Sequence, residues 1–265
     1  MLERRGAANR CQWLRGKLSA PSNANRQAAV AIVADAAVKW QCRGAVQHYD
    51  AWRAAVAGTQ LPADAERKLV PFVRPAFGLP SDPPLADHLQ GHVAECVWYI
   101  LARENVPAGL TLRTIEGPSF LVTTPGGDGL VVYQRGDDVL IFRLWEIKKH
   151  DSTGGVSRTV SRALRQLDEK AEEYLAQLTT LAGTYDADVA QLYAALSDLW
   201  LDRDEHAGAG VAVSTSDQYL PRSCFGRMHT RFPELSLDQL AGLVVALGDF
   251  PAFASSVRDR IWSAL

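Results

Sequence analysis

Asp128, Glu146 and Lys148 are the residues of this chain whose types and spacing best suit chemistry. Asp128 opens the run Asp-Gly-Leu-Val-Val-Tyr-Gln, and Glu146 and Lys148 close the run Val139 to Lys148. Both runs are rich in apolar, β-favouring residues, and Arg135-Gly-Asp-Asp138 between them has turn composition. Side chains alternate faces along a strand, so Leu140, Phe142, Leu144, Glu146 and Lys148 share one face. An antiparallel return brings Asp128 beside Glu146. Two carboxylates that close repel each other unless a cation neutralises them, and hard oxygen donors favour Mg²⁺ or Mn²⁺. A lysine next to them can orient or deprotonate a water, or neutralise a developing negative charge. These are the requirements of phosphodiester hydrolysis.

An acid on one strand followed by Glu-x-Lys on the next resembles the PD-(D/E)XK nuclease superfamily. Pro125 stands two residues further from the acid than the family's proline usually does. The resemblance spans about residues 82–216 and implies an α/β, restriction-endonuclease-like mixed sheet in α-β-β-β-α-β order. It also implies Mg²⁺- or Mn²⁺-dependent cleavage of DNA, the metal held by Asp128, Glu146, the Ile147 carbonyl and Glu95, with Lys148 positioning the attacking water. Glu95 enters because several branches of the superfamily carry a metal-facing glutamate on the first core helix. Gln166 matches a polar residue that follows Glu-x-Lys in some branches. Over about residues 85–215 the chain is also similar to the nuclease component of Hachiman-type bacterial anti-phage systems, through the Glu95 helix, Gly127-Asp-Gly129 and Glu-x-Lys before a long helix. That likeness implies a helicase partner that restrains the nuclease.

Other residues carry weaker signals. Arg158, Arg162 and Arg165 fall at i, i+4 and i+7 of the helix after the second strand, where they can hold backbone phosphates or form a solvated basic face. Lys149 points to the other strand face, as a phosphate contact or plain surface. His150 returns to the catalytic face, where a lone histidine is usually polar surface. His88 and His92, one helical turn apart, can bind zinc with Glu95 as third ligand. Alternative readings are therefore an inactive nuclease-fold module that binds nucleic acid or protein, a helical zinc-site protein, and a helical interaction protein.

The elements that must position these residues are legible in part. Residues 1–20 read as basic and irregular, and 25–57 as helical with a break at Gly44. The prolines between 58 and 84 suggest a linker, and a helix capped at Ser81 or Asp82 should run to about Glu104. Leu110–Glu116 and Ser119–Thr124 read as strands. A long amphipathic helix should follow Gly154-Gly155, a second should run from about Asp186 to Leu201, and Gly210–Ser214 reads as a buried strand. Ser236-Leu-Asp-Gln239 has capping-box spacing and predicts a helix to about Leu247, with a last helix from Pro251. The organisation expected is a helical region over 1–81, a nuclease-like core over 82–216 and a helical region over 217–265.

Composition sets outer bounds. Apolar residues make up 47% and net charge is −2, so a core is available but no global attraction to nucleic acid. Between Ile141 and Gln166, however, six Lys or Arg residues face two acids. Cys11, Cys42, Cys96 and Cys224 form no CxxC pair, which fits a reducing cytoplasm. The apolar run from Ala28 is broken by Asp35, too short for a membrane span. No GxxxxGK[ST], GxGxxG or Gly-x-Ser-x-Gly pattern supports nucleotide, dinucleotide or serine-hydrolase chemistry.

Overall fold

The computed structural model describes residues 2–5, 11–18, 23–118 and 128–265. In chain order its elements are β1 (Leu2–Arg5), β2 (Gln12–Lys17), α1 (Asn23–Gln41), α2 (Val46–Val56), α3 (Ala63–Phe77) and α4 (Ala86–Glu104). Next come β3 (Leu110–Glu116), β4 (Gly129–Arg135), β5 (Val139–His150), α5 (Val156–Leu178), α6 (Ala187–Leu201) and β6 (Ala207–Thr215). The short α7 (Met228–Arg231), β7 (Leu240–Ala246) and α8 (Phe250–Trp262) complete the described chain.

The strands form one mixed sheet in the order β1-β2-β7-β6-β5-β4-β3. The hairpin expected from the sequence is its pivot. β4 and β5 pair antiparallel from Gly129↔Trp145 to Arg135↔Val139, and Gly136 supplies the positive φ (62°) of the turn. β3 pairs antiparallel with β4, whereas β5, β6, β7 and β2 run parallel. The parallel strands β6 and β7 are buried along their whole length, which is why they read as continuous apolar runs rather than alternating ones.

Each face of the sheet is covered by helices. Ile141, Trp145 and Ile147 of β5 pack under α1, α4 and α8, with α2 and α3 behind them. Phe142 and Leu144 face the other way, onto Val160, Leu164, Leu167 and Ala171 of α5 and onto α6. The predicted α5 stripe is therefore the core-facing stripe. No helix among the described residues is long and apolar enough to cross a membrane.

Four expectations need correction. Residues 1–20 are not simply irregular: β1 and β2 form a hairpin, and β2 adds to β7 in register Gln12↔Ala241 to Lys17↔Ala246. The proline-rich stretch is not a linker. It contains α3 with Pro71 and Pro75 inside, because Leu69, Val73, Ala76 and Phe77 bury one face deeply enough to override the lost backbone bonds. α4 begins at Ala86, since Leu79 and Asp82 first exchange two backbone hydrogen bonds in a turn. The capping-box residues precede a strand, β7, instead of a helix. Gln239 Oε1 does accept from the Ser236 backbone N–H (2.8 Å), but Gln239 Nε2 donates to the carbonyls of Asp204 and Ala207 and so ties the start of β7 to β6. The predicted strand 119–124 and Pro125 lie outside the described residues.

Candidate active site

The ladder register carries the site. Gly129 pairs with Trp145, so Asp128 stands across from Glu146 on the α5 face of the sheet. The backbone pairing ends there and a side chain takes over. Asp128 N–H donates to the Trp145 carbonyl (3.0 Å), and Asp128 Oδ2 accepts from Ile147 N–H at 2.6 Å, a short charge-assisted bond that fixes the carboxylate. Lys148 Nζ lies 3.5 Å from Asp128 Oδ2 and in ion-pair contact with Glu146 Oε1. The expected convergence of Asp128, Glu146 and Lys148 is thus present.

Burial sets the electrostatics. Glu146 is 1% exposed, and its carboxyl is pushed up to about 8 by burial and then by the neighbouring Asp128 charge, against the pull of Lys148. Burial also raises Asp128, partly offset by Lys148 and the Ile147 N–H. For Lys148, burial favours the neutral amine, but the Asp128 and Glu146 charges outweigh it and hold the ammonium above its usual range. Two acids therefore share one lysine cation. The donor set is two carboxylates and the Ile147 carbonyl, hard oxygens that suit Mg²⁺ or Mn²⁺. Among the described residues no group of three or more His, Cys, Asp or Glu side chains is gathered to hold a metal, so a site here needs the backbone carbonyl or water.

A glycine sets the distance between hairpin and helix. A Cβ on Gly129 would stand 2.2 Å from the Trp98 ring, and one on Gly210 would stand 2.4 Å from the Trp145 ring. The two indoles contact each other with centroids 5.9 Å apart. Glycines under both rings thus let α4 approach the sheet closely and bring Glu95 to the rim.

A cleft of about 530 Å³ opens above Asp128. Its lining includes Glu95, Asp128, Ile147, Lys148, Lys149, Arg162 and Gln166, so most of the predicted site residues share one space, while Glu146 lies beneath its floor. Arg158 and Arg165 line an adjoining groove instead. Lys149 is held by Asp87 (2.7 Å) and Asp151 (2.6 Å), which together outweigh its charge. His150 differs from the polar-surface reading. It is buried, bonds Thr159 Oγ1 through Nδ1 (2.8 Å), packs edge-on to Tyr219, and its carbonyl accepts from Thr215 Oγ1 (2.8 Å). It ties the end of β5 to α5 and β6.

His88 and His92 do not form one coordination shell. His88 lines the cleft, but His92 is 0% exposed, with Nε2 3.4 Å from Gln41 Nε2 and its ring edge-on to Phe77. Burial lowers its pKa to about 4, which keeps the ring neutral. Its Nδ1 lies 3.7 Å from Glu95 Oε2, beyond hydrogen-bond distance.

Sequence reasoning missed a second polar cluster at the hairpin's edge. Glu116, which pairs with Leu130 in β3–β4, accepts from the hydroxyls of Tyr185 and Tyr193 (the latter at 2.6 Å) and joins α6 to the sheet. Tyr174 of α5 lies close enough to Glu116, Asp128, Glu95 and Glu146 to feel their charge, and burial first, then these acids, push its phenol up. No local motif marks these residues. The signal is only that Tyr174 interrupts an aliphatic stripe. Comparison with protein-family models and with curated proteins finds no match to this chain.

Proposed function

We propose that this chain is a metal-dependent nuclease that hydrolyses DNA phosphodiester bonds. The observation that carries the reading is the Asp128–Glu146–Lys148 cluster: a buried Glu146 carboxylate and a half-buried Asp128 carboxylate facing each other at the end of the β4–β5 pair, one lysine cation in contact with both, and a cleft above. The order α4-β3-β4-β5-α5, followed after α6 by β6, supports a restriction-endonuclease-like core, with α6 as the addition to that pattern.

Asp128, Glu146 and the Ile147 carbonyl fit one Mg²⁺ or Mn²⁺, with Glu95 at the rim as a further oxygen donor. When bound, such an ion supplies charge stabilisation of the phosphate and leaving oxygen and lowers the pKa of a coordinated water. The chain's own residues do the rest. Lys148, in contact with both acids, would orient the attacking water and neutralise charge developing on the phosphate. Asp128 is locked by the Ile147 N–H, so little reorganisation is needed when charge develops. Arg162 and Gln166, on the opposite wall, are placed to hold the phosphate's outer oxygens. The similarity noted above supports a setting in bacterial anti-phage defence with a helicase partner, an assignment to be abandoned if the neighbouring gene encodes no helicase.

The purified chain is expected to degrade DNA with Mg²⁺ or Mn²⁺ and to be silent in EDTA. DNA left intact with either ion, alone and with the helicase partner added, would overturn the reading.

A further inference from the structure

Beside the cleft lies a second feature that the catalytic cluster does not use. The first turns of α5 form one wall of a groove of about 710 Å³, and residues 221–231 form the other. That second wall is fixed from behind: Cys224, Phe225 and Met228 are buried in the core, and Arg15 Nε donates to the Pro221 carbonyl at 3.0 Å. Five arginines line the groove (Arg158, Arg162, Arg165, Arg227 and Arg231), and its described lining contains no acid. Arg231 is matched by Asp168 at 2.6 Å, but the other four have no described carboxylate within 4.0 Å. On a chain of net charge −2 this is a concentrated, exposed positive field of the kind that attracts a polyanion.

Arg162 lines both the cleft and the groove, so the two adjoin at that side chain. Arg158 and Arg165 are seven residues apart on α5, which is about 10 Å along the helix. Thr230 adds a hydroxyl among the arginines, whereas Ser161 Oγ already donates to the Ser157 carbonyl (2.8 Å), and no aromatic side chain among the described residues lines the groove for base stacking. That chemistry recognises a sugar-phosphate backbone and is indifferent to bases.

Building on the nuclease reading, we propose that the groove between α5 and residues 221–231 is a track for the DNA backbone leaving the reacting centre, with Arg227 as a phosphate contact. The test is fluorescence anisotropy of labelled duplex DNA with the full chain in EDTA, across a salt series. Binding is then read without cleavage. Each phosphate contact contributes about 0.9 to the slope of log affinity against log salt. R158Q/R227Q is expected to flatten that slope by up to about 2, equally for unrelated sequences, and R227Q alone by about 1. K68Q on α3, also one charge removed, should leave it unchanged. A wild-type slope in R158Q/R227Q, or equal flattening by K68Q, overturns the track. The same overturning result with Mg²⁺-dependent cleavage retained leaves the nuclease reading intact. A flattened slope in a protein that cleaves nothing supports the track and removes the catalysis. If a labelled acidic peptide binds the wild-type chain but not R158Q/R227Q while duplex DNA binds neither, the track is overturned and a protein partner replaces DNA.

Discussion

Glu146→Gln is expected to lower Mg²⁺-dependent DNA cleavage by at least about 10²–10³-fold, the cost of losing one strong electrostatic contact in a pre-organised site, while thermal stability stays level or rises. The two effects diverge because Glu146 is costly to the fold. It is a buried carboxyl pushed up to about 8, facing Asp128 across the strand pair. An amide of the same shape removes the buried acid and the repulsion but also removes the negative charge and one of the two oxygens a metal could use. Lys148→Met should match it in rate but not in stability, because it leaves both acids without their shared cation. Removing one partner of a buried charge pair typically costs about 3–5 kcal/mol, and solvent screening at the cleft, where Lys148 is 23% exposed, reduces that figure. Single-turnover cleavage assays and thermal melts read the two quantities separately. Wild-type cleavage by Glu146→Gln would falsify the catalytic assignment.

Gly129→Ala is expected to damage stability and activity together. Its new Cβ would lie 2.2 and 2.4 Å from two Trp98 ring atoms, and Trp98 is itself fully buried against Trp145. Overpacking of this kind costs about 1–3 kcal/mol, or about 2–4 °C in Tm for each kcal/mol at this chain length. The strand would have to move off α4, carrying Asp128 away from the Ile147 N–H. Cleavage should therefore fall even at temperatures where the protein is fully folded. Trp98→Phe in the Gly129→Ala background should restore part of both losses, with a coupling energy of about 0.5–3 kcal/mol in a double-mutant cycle. Strictly additive effects would mean that the glycine is not there to admit the ring.

The hairpin and its acids were legible because the relevant information is local. Period-two alternation, a Gly-containing turn and the Glu-x-Lys spacing all sit within Asp128 to Lys148. The helices α5 and α6 were legible because their apolar stripes face a sheet on one side only. β7 was not, because Ser236 and Gln239 have the spacing of a helix start and make one of its two side-chain bonds, Ser236 N–H to Gln239 Oε1, while serving a strand, and a short fully buried apolar run has no period to read. α3 was hidden by Pro71 and Pro75, whose local cost is outweighed by the burial of Leu69, Val73 and Phe77. β2 was hidden by its charged residues. The groove formed by α5 with residues 221–231 depends on chain segments more than fifty residues apart, and no spacing rule reaches across that distance.

The central claim is that Asp128 and Glu146 together bind one divalent cation above Lys148. Mn²⁺ binding followed by electron paramagnetic resonance on the full chain tests it without DNA or turnover. One site is expected in the wild-type protein, displaced by excess Mg²⁺ and lost in both Asp128→Ala and Glu146→Ala, with folding verified by circular dichroism. Undiminished Mn²⁺ binding by both variants would contradict the account, as would one stoichiometric zinc in the purified protein that disappears in His92→Ala.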